Sequence, residues 1–321
     1  MSKISIPLSV PKRQHDVYLK NYKLATKNTG HLFLFAGDQK VEHLNNDFYG
    51  AGISPEDNNP EHLFQIAAQV PGAVLATHIG LLAHYGQDYK QLPFILKVNG
   101  KSPLNLKTDD SFSSTWLDMD KFIRFKTQSN LKIVGLGYTV YLGSTQEAQM
   151  LKEASEMIAV AHQNGMLAII WMYPRNSKIK NEDNPHLIAG GAGVAACLGA
   201  DFVKVKYPYK LATTDKKAEV FKEVIAAAGR TKVICVGGSK QNAASLLKHL
   251  SRQLKTGSSG LALGRNMHQR SLKEASALGK AIVAILHHKA SYQEALNILK
   301  AKPKAKKNSK TKGKILGIFS L

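Results

Sequence analysis

The sequence predicts an α/β protein whose eight parallel strands alternate with helices and close into a (β/α)8 TIM barrel. Three observations carry this reading. Eight short apolar runs recur along the chain, at 32–36, 73–77, 94–98, 133–139, 167–173, 202–207, 233–237 and 260–264, most of them ending near Gly, Asp, Asn or Pro. Segments with helical periodicity fill the gaps between them. The chain's 321 residues suffice for one such barrel with terminal additions. A doubly wound open sheet is the alternative, but no Gly-x-Gly-x-x-Gly turn follows the first run.

Taken in order, residues 1–30 read as a polar, partly helical N-terminal extension, expected to cover the barrel bottom. Residues 60–69 start with an acid and end before Pro71, as a helix should. The stretch 101–130 is long for one loop and is expected to hold a short helix around 117–125. Over 146–164, Met150, Leu151, Ala154, Met157, Ile158 and Ala161 form an apolar stripe that Gly165 closes. Residues 185–198 are rich in Ala and Gly, which favours close packing. Helices over 216–228, 242–254 and 272–288 complete the alternation. The organisation that follows is an extension (1–30), a barrel (31–290) and a Lys-rich C-terminal tail (291–321). Residues 301–314 are expected to be disordered. The apolar end, 315–321, suits docking on the body or on a neighbouring subunit.

The net charge is +21, and residues 300–314 contribute eight lysines without an acid, which leaves +13 elsewhere. Binding of nucleic acid, attraction of anionic substrates and a basic proteome all account for such an excess. No helix-turn-helix, zinc-knuckle or RNA-binding aromatic motif accompanies it, so nucleic-acid contact through the tail is expected to be non-specific at most. No apolar run reaches a membrane span, and Met1–Pro7 lacks the apolar core of a secretory signal. A cytoplasmic enzyme is expected. Cys197 and Cys235 read as buried thiols of a reducing compartment. The twelve histidines are scattered without metal-ligand spacing, so no metal is expected.

In a barrel enzyme the site lies at the C-terminal strand ends. There the sequence places Asp38, Glu42 and His43 after the first strand, Lys97 and Asn99 after the third, and Tyr138 and Tyr141 after the fourth. Trp171, Tyr173 and Arg175 follow at spacing two on the fifth, and Lys204 and Lys206 on the sixth. Gly237-Gly238-Ser239-Lys240 and Gly264-Arg265-Asn266 end the last two. Side chains two apart on a strand share a face, so Lys204 and Lys206 oppose Val203 and Val205. Burying an unpaired ammonium is costly, so that face must be wet, paired or reactive. A lysine with a depressed pKa can form a Schiff base with a carbonyl, and spacing alone leaves either lysine eligible.

These motifs give the chain a resemblance to the archaeal-type (DhnA-type) class I fructose-1,6-bisphosphate aldolases. The carrying segments are residues 37–43 (GDQKVEH), 95–101 (ILKVNGK), 137–141 (GYTVY), 171–175 (WMYPR), 199–207 (GADFVKVKY), Gly237-Gly238 and 264–266, in family order over about 31–290. The resemblance implies a metal-independent aldolase with no cofactor beyond a covalent Schiff base. It puts Lys204 in the place of the Schiff-base lysine, Tyr173 in that of the proton-moving phenol, and Asp38 in that of the carboxylate near the reacting hydroxyl. Arg175 and His43 match positions that meet phosphate or hydroxyls, and Gly237, Gly238, Gly264 and Arg265 match the phosphate cradle. Lys97, Trp171 and Lys206 are expected to join these substrate- and phosphate-binding residues. Lys206, with Lys97, is then expected to lower the pKa of Lys204 by repulsion, adding to burial. A homo-oligomer, with a decamer among its forms, is also implied. Gln39, Lys40 and Ser239 depart from the family's usual residues, and extra residues including Trp116 separate strands three and four.

Plainer roles exist for each residue. Lys204 could pair with Asp38 or Glu42, Tyr173 and Trp171 could be core aromatics, Asp38 could cap a helix, and His43 could be a satisfied polar group. Two functional alternatives also stand beside the aldolase. One is a related Schiff-base aldolase, transaldolase or thiolase acting on another phosphorylated ketose. The other is a basic anion- or RNA-binding protein on a disused barrel.

Overall fold

The computed structural model describes residues 4–104, 111–176 and 178–301. Its strands are β1 (Leu32–Ala36), β2 (Ala73–His78), β3 (Pro93–Lys97), β4 (Lys132–Leu142), β5 (Leu167–Pro174), β6 (Phe202–Val205), β7 (Lys232–Val236) and β8 (Gly260–Leu263). They pair in parallel in chain order, and β8 closes the barrel on β1, with Leu32 opposite Gly260 and Phe35 opposite Leu263.

Strand alternation divides the core into two layers. Leu32, Leu34, Val74, Ala76, Ile95, Ile169, Trp171 and Phe202 belong to one cluster, inside the barrel. Phe33, Phe35, Leu75, Leu96, Ile170, Val203 and Val205 belong to the other, between barrel and helices. Val203 and Val205 are thus outward packing residues, and Lys204 continues the inner row begun by Phe202.

The N-terminal extension forms a helix, His15–Thr26, whose Tyr18 and Ala25 join the inner cluster with Val10. Tyr18 donates to Asp201 Oδ1 at 2.5 Å, and Asp201 Oδ2 meets His162 Nε2 at 3.0 Å and accepts from the Ala168 N–H at 2.8 Å. Asp201 immediately precedes β6, so this tie lies at the strand's N-terminal end, where the extension was expected to sit.

The differences from expectation have local causes. β6 stops at Val205, two residues early, because Pro208 cannot supply a ladder N–H. The helix expected over 216–228 is broken into Asp215–Ala218, a 3-10 turn and Lys222–Ala228. The helix expected at 117–125 is Met119–Ser129. Cys197 is exposed rather than buried, since it lies on the solvent side of helix Pro185–Leu198; Cys235 is buried as expected, and both thiols are free. The segment 291–300, placed with the tail, instead forms helix Tyr292–Lys300. Ser291 and Glu294 build a capping box at its start, and Ala295 and Leu296 bury against the body. The Lys-rich stretch from 302 and the apolar end at 315–321 lie outside the described residues.

Candidate active site

Three lysines end up in three different states. The Lys204 side chain projects inward from β6 and is almost wholly buried, with its Nζ 5.0 Å from the centre of the Trp171 ring. Trp171 is its register neighbour on β5. Gly137 on β4 makes room for that indole, since a Cβ there would strike the ring. Burial pushes the Lys204 amine below its ordinary pKa, while Asp38 and Glu42 act to raise it. Among the described residues no hydrogen bond or ion pair holds this amine.

Lys97, at the end of β3, is fully buried and also depressed by burial. Its Nζ, however, donates to Asn99 O at 2.7 Å and Asn99 Oδ1 at 2.8 Å. Asn99 is itself fixed, donating to Ser113 O and Thr139 O and accepting from the Thr139 N–H. The same long loop brings Trp116 flat against His78, 4.3 Å between ring centres. Burial and the nearby Lys97 charge lower His78 to about 4, so it is neutral at ordinary pH.

Lys206 corrects an expectation. Spacing places it beside Lys204, but β6 has ended, and its Nζ pairs with Glu182 and lies 3.9 Å from Asp183. The charges that act on Lys204 are those of Asp38 and Glu42, so burial rather than Lys206 depresses that amine. Arg175 is held by the same acid, its Nε and Nη2 donating to Glu182 at 2.8 and 3.1 Å. The guanidinium lies 5.7 Å from Tyr173 and 5.9 Å from Tyr141, rings that stack on each other.

Tyr173 is half-buried, and desolvation raises its pKa strongly, with Glu42 and Asp38 adding to the rise. It therefore keeps its proton across the ordinary pH range. Asp38 is buried at the start of helix Gln39–His43, and its Oδ1 has no partner among the described residues. It does not cap that helix through its side chain, which removes the plainer reading of this residue.

The last two strand ends are built for close approach. Gly238 takes φ +69, a left-handed conformation that a side chain would disfavour. Asn266 Nδ2 donates to the carbonyls of Gly237, Gly238 and Ser239, drawing them to one side of the turn. Gly264 lies against Gln39, where a Cβ would collide with the amide oxygen. Gln39 therefore occupies the floor of the β8 turn, and Lys40 turns away to lie 4.2 Å above the Phe48 ring. Arg265 Nε stands 3.6 Å from Asp47 Oδ2, and His43 Nδ1 lies 2.7 Å from the same oxygen.

Sequence reasoning placed Glu42 and Asn99 at strand ends without giving either a part in the chemistry, and it missed Asp47 and Glu182. Glu42 was visible in the first motif but not singled out; its carboxyl is raised by burial and by Asp38, against Lys97 and Lys204. Its helical offset of four from Asp38 is the signal that could have found it. Asn99, Asp47 and Glu182 act through loop geometry, which no periodicity encodes. Among the described residues, no group of three or more His, Cys, Asp or Glu side chains is placed to hold a metal ion.

The family model for DeoC/LacD family aldolases matches residues 32–270, the barrel just described. The chain belongs to that family. Its relatives include the fructose-bisphosphate aldolase/6-deoxy-5-ketofructose 1-phosphate synthase of Methanocaldococcus jannaschii, 49% identical over 296 residues, covering 92% of this chain and 94% of that protein. A solved fructose-bisphosphate aldolase from Slackia heliotrinireducens superposes with a TM-score of 0.88 at 45% identity, covering 92% of this chain and 94% of its own. An archaeal fructose-1,6-bisphosphate aldolase, solved with its catalytic lysine covalently bound to the carbinolamine intermediate, superposes with a TM-score of 0.71 at 25% identity, covering 84% and 99%.

Proposed function

We propose that the chain is a class I, metal-independent fructose-bisphosphate aldolase. It cleaves fructose 1,6-bisphosphate reversibly to dihydroxyacetone phosphate and glyceraldehyde 3-phosphate through an iminium on Lys204. The observation that carries this is the contrast among the lysines: Lys97 is held by Asn99, Lys206 by Glu182, and among the described residues only Lys204 combines burial with an amine that no hydrogen bond or ion pair engages.

Burial favours the uncharged form of the Lys204 amine, the form that attacks a carbonyl. It adds to the C2 carbonyl, and the carbinolamine loses water to give the iminium; Glu42, its carboxyl raised by burial, can give the proton that the departing hydroxyl needs. Asp38 takes the proton of the C4 hydroxyl. The C3–C4 bond breaks, its electron pair flows into the iminium to form an enamine, and the aldehyde leaves. Tyr173, kept protonated by its surroundings, protonates C3, and water hydrolyses the iminium to release the ketone. The proton taken by Asp38 restores the one that Tyr173 gives. The Gly237-Gly238 and Gly264-Arg265 turns receive the phosphate on C1, with Arg265 supplying a guanidinium.

A second reading keeps the lysine chemistry and changes the acceptor, as the double name of the Methanocaldococcus relative suggests. The three-carbon enamine would then be handed to another aldehyde, forming a different ketose 1-phosphate. We also read the enzyme as a cytoplasmic homo-oligomer, the family's decamer being the form to test; light scattering that finds a monomer would overturn the assembly. No described helix is long and apolar enough to cross a membrane.

Borohydride reduction in the presence of dihydroxyacetone phosphate, with peptide mapping, tests the core of the proposal. An adduct on Lys204 is expected. An adduct on another residue, or activity abolished by a chelator, would sink it. A substrate panel separates the two readings: an adduct without turnover of fructose 1,6-bisphosphate favours the second.

A further inference from the structure

The two phosphate-facing ends of the site are prepared differently. On the β7–β8 side, Arg265 meets Asp47 only at 3.6 Å, and its Nε has no hydrogen-bond partner among the described residues. On the β5–β6 side, Arg175 and Lys206 are both engaged by Glu182. We propose that Glu182 stands in for the far phosphate of the substrate, and so sets how strongly the enzyme prefers a doubly phosphorylated ketose over one with an uncharged far end. This rests on the aldolase reading above, which puts the C1 phosphate at β7–β8 and the far end of the chain across Lys204 at β5–β6.

Glu182 offers Arg175 two oxygens in the fork geometry that a guanidinium also offers a phosphate. A third charge-assisted contact comes from Lys206. Burial acts to raise the Glu182 carboxyl, but the hydrogen bonds from Arg175 and Lys206 outweigh it and hold it below the ordinary range. With Asp183 3.9 Å from Lys206, two cations face two acids, and the patch is close to neutral before any substrate arrives. An incoming phosphate must displace contacts as good as those it makes, so its gain is small. An uncharged far end leaves the patch intact and loses little by comparison.

The loop that carries Glu182 is fixed on both sides. Asn176 donates to Gly143 O and accepts from the Lys178 and Ile179 N–H groups. Asn184 caps helix Pro185–Leu198 by accepting from the His186 N–H. Glu182 is thus presented at a set place between two anchors, and it is half-buried over the cations.

The test is calorimetric titration of the full chain, parent and Glu182→Gln, with mannitol 1,6-bisphosphate and mannitol 1-phosphate. Neither has a carbonyl, so binding is read without Schiff-base formation. Removing the acid should raise the preference for the bisphosphate by about tenfold, the size expected for freeing a bidentate guanidinium. Adding Arg175→Met to Glu182→Gln should return the preference to the parent value or below. A preference that stays at the parent value, or two affinities that fall together, would overturn the proposal. Borohydride trapping on the same samples keeps the two readings apart. A raised preference without an adduct removes the aldolase and leaves the stand-in; an adduct with an unmoved preference removes only the stand-in.

Discussion

Lys204 and Lys206 are two residues apart in the chain and opposite in circumstance. Lys204 sits inside the barrel, with burial acting against its charge and, among the described residues, no acid within bonding reach. Lys206 has passed the end of the strand and is ion-paired at the rim. The same side chain is therefore buried with its charge disfavoured in one place and ion-paired to a carboxylate in the other. What separates them is where the strand ends, since one more turn of pleat would have directed both amines at the same spot.

The largest test of that contrast is Lys204→Met. Adduct formation and cleavage should disappear, with a loss of at least ~10⁴-fold in turnover, while the far-UV spectrum is kept. The stability profile should change too. The folded-state pKa of Lys204 is depressed below the ordinary 10.5, so between those two values the unfolded chain binds a proton that the folded one does not, and stability rises with pH there. The variant should lose part of that slope in thermal melts run across alkaline pH, and a slope equal to the parent's would contradict the burial argument.

Tyr173→Phe comes next. Turnover should fall by about 10²–10³-fold, with the borohydride adduct still forming on Lys204. Loss of the adduct as well would mean that the phenol acts before C3 protonation.

Glu42→Gln should lower kcat/KM by about tenfold and move the acid limb of its pH profile, because this raised carboxyl shares charge with Asp38, Lys97 and Lys204. A profile of unchanged shape would make Glu42 a packing residue.

Lys206→Met is the smallest and sharpens the contrast most directly. The pH at which adduct formation is half-maximal should not move, since Lys206 is not among the charges felt by Lys204. A shift of one unit would restore the repulsion expected from sequence.

Much of this is legible in the amino-acid sequence itself. The eight strands announced themselves through apolar runs and turn residues, because burial on both faces leaves few other compositions available. Lys204, Tyr173, Asp38 and Trp171 lie on or just after strands, where period-two alternation fixes direction, and they converge as expected. Lys206, Arg175 and His43 lie beyond strand ends, and there the prediction weakened: each is held by an acid, Glu182 or Asp47, that arrives from a loop. Helix Tyr292–Lys300 was hidden for a different reason. The lysine-rich composition that follows it drew the boundary forward, although Ser291 and Glu294 already spelled a capping box.

The contact between Tyr18 and Asp201 spans 183 residues of chain. Its meaning for the assembly of the molecule is temporal. The N-terminal helix is synthesised first, yet the carboxylate that seats it arrives only after five of the eight strands, and loop closure over such a distance is slow to be rewarded. On loop-closure entropy alone, a contact of this span is expected to form late. Because Asp201 immediately precedes the strand that carries Lys204, the first helix is tied to the start of that strand across most of the chain.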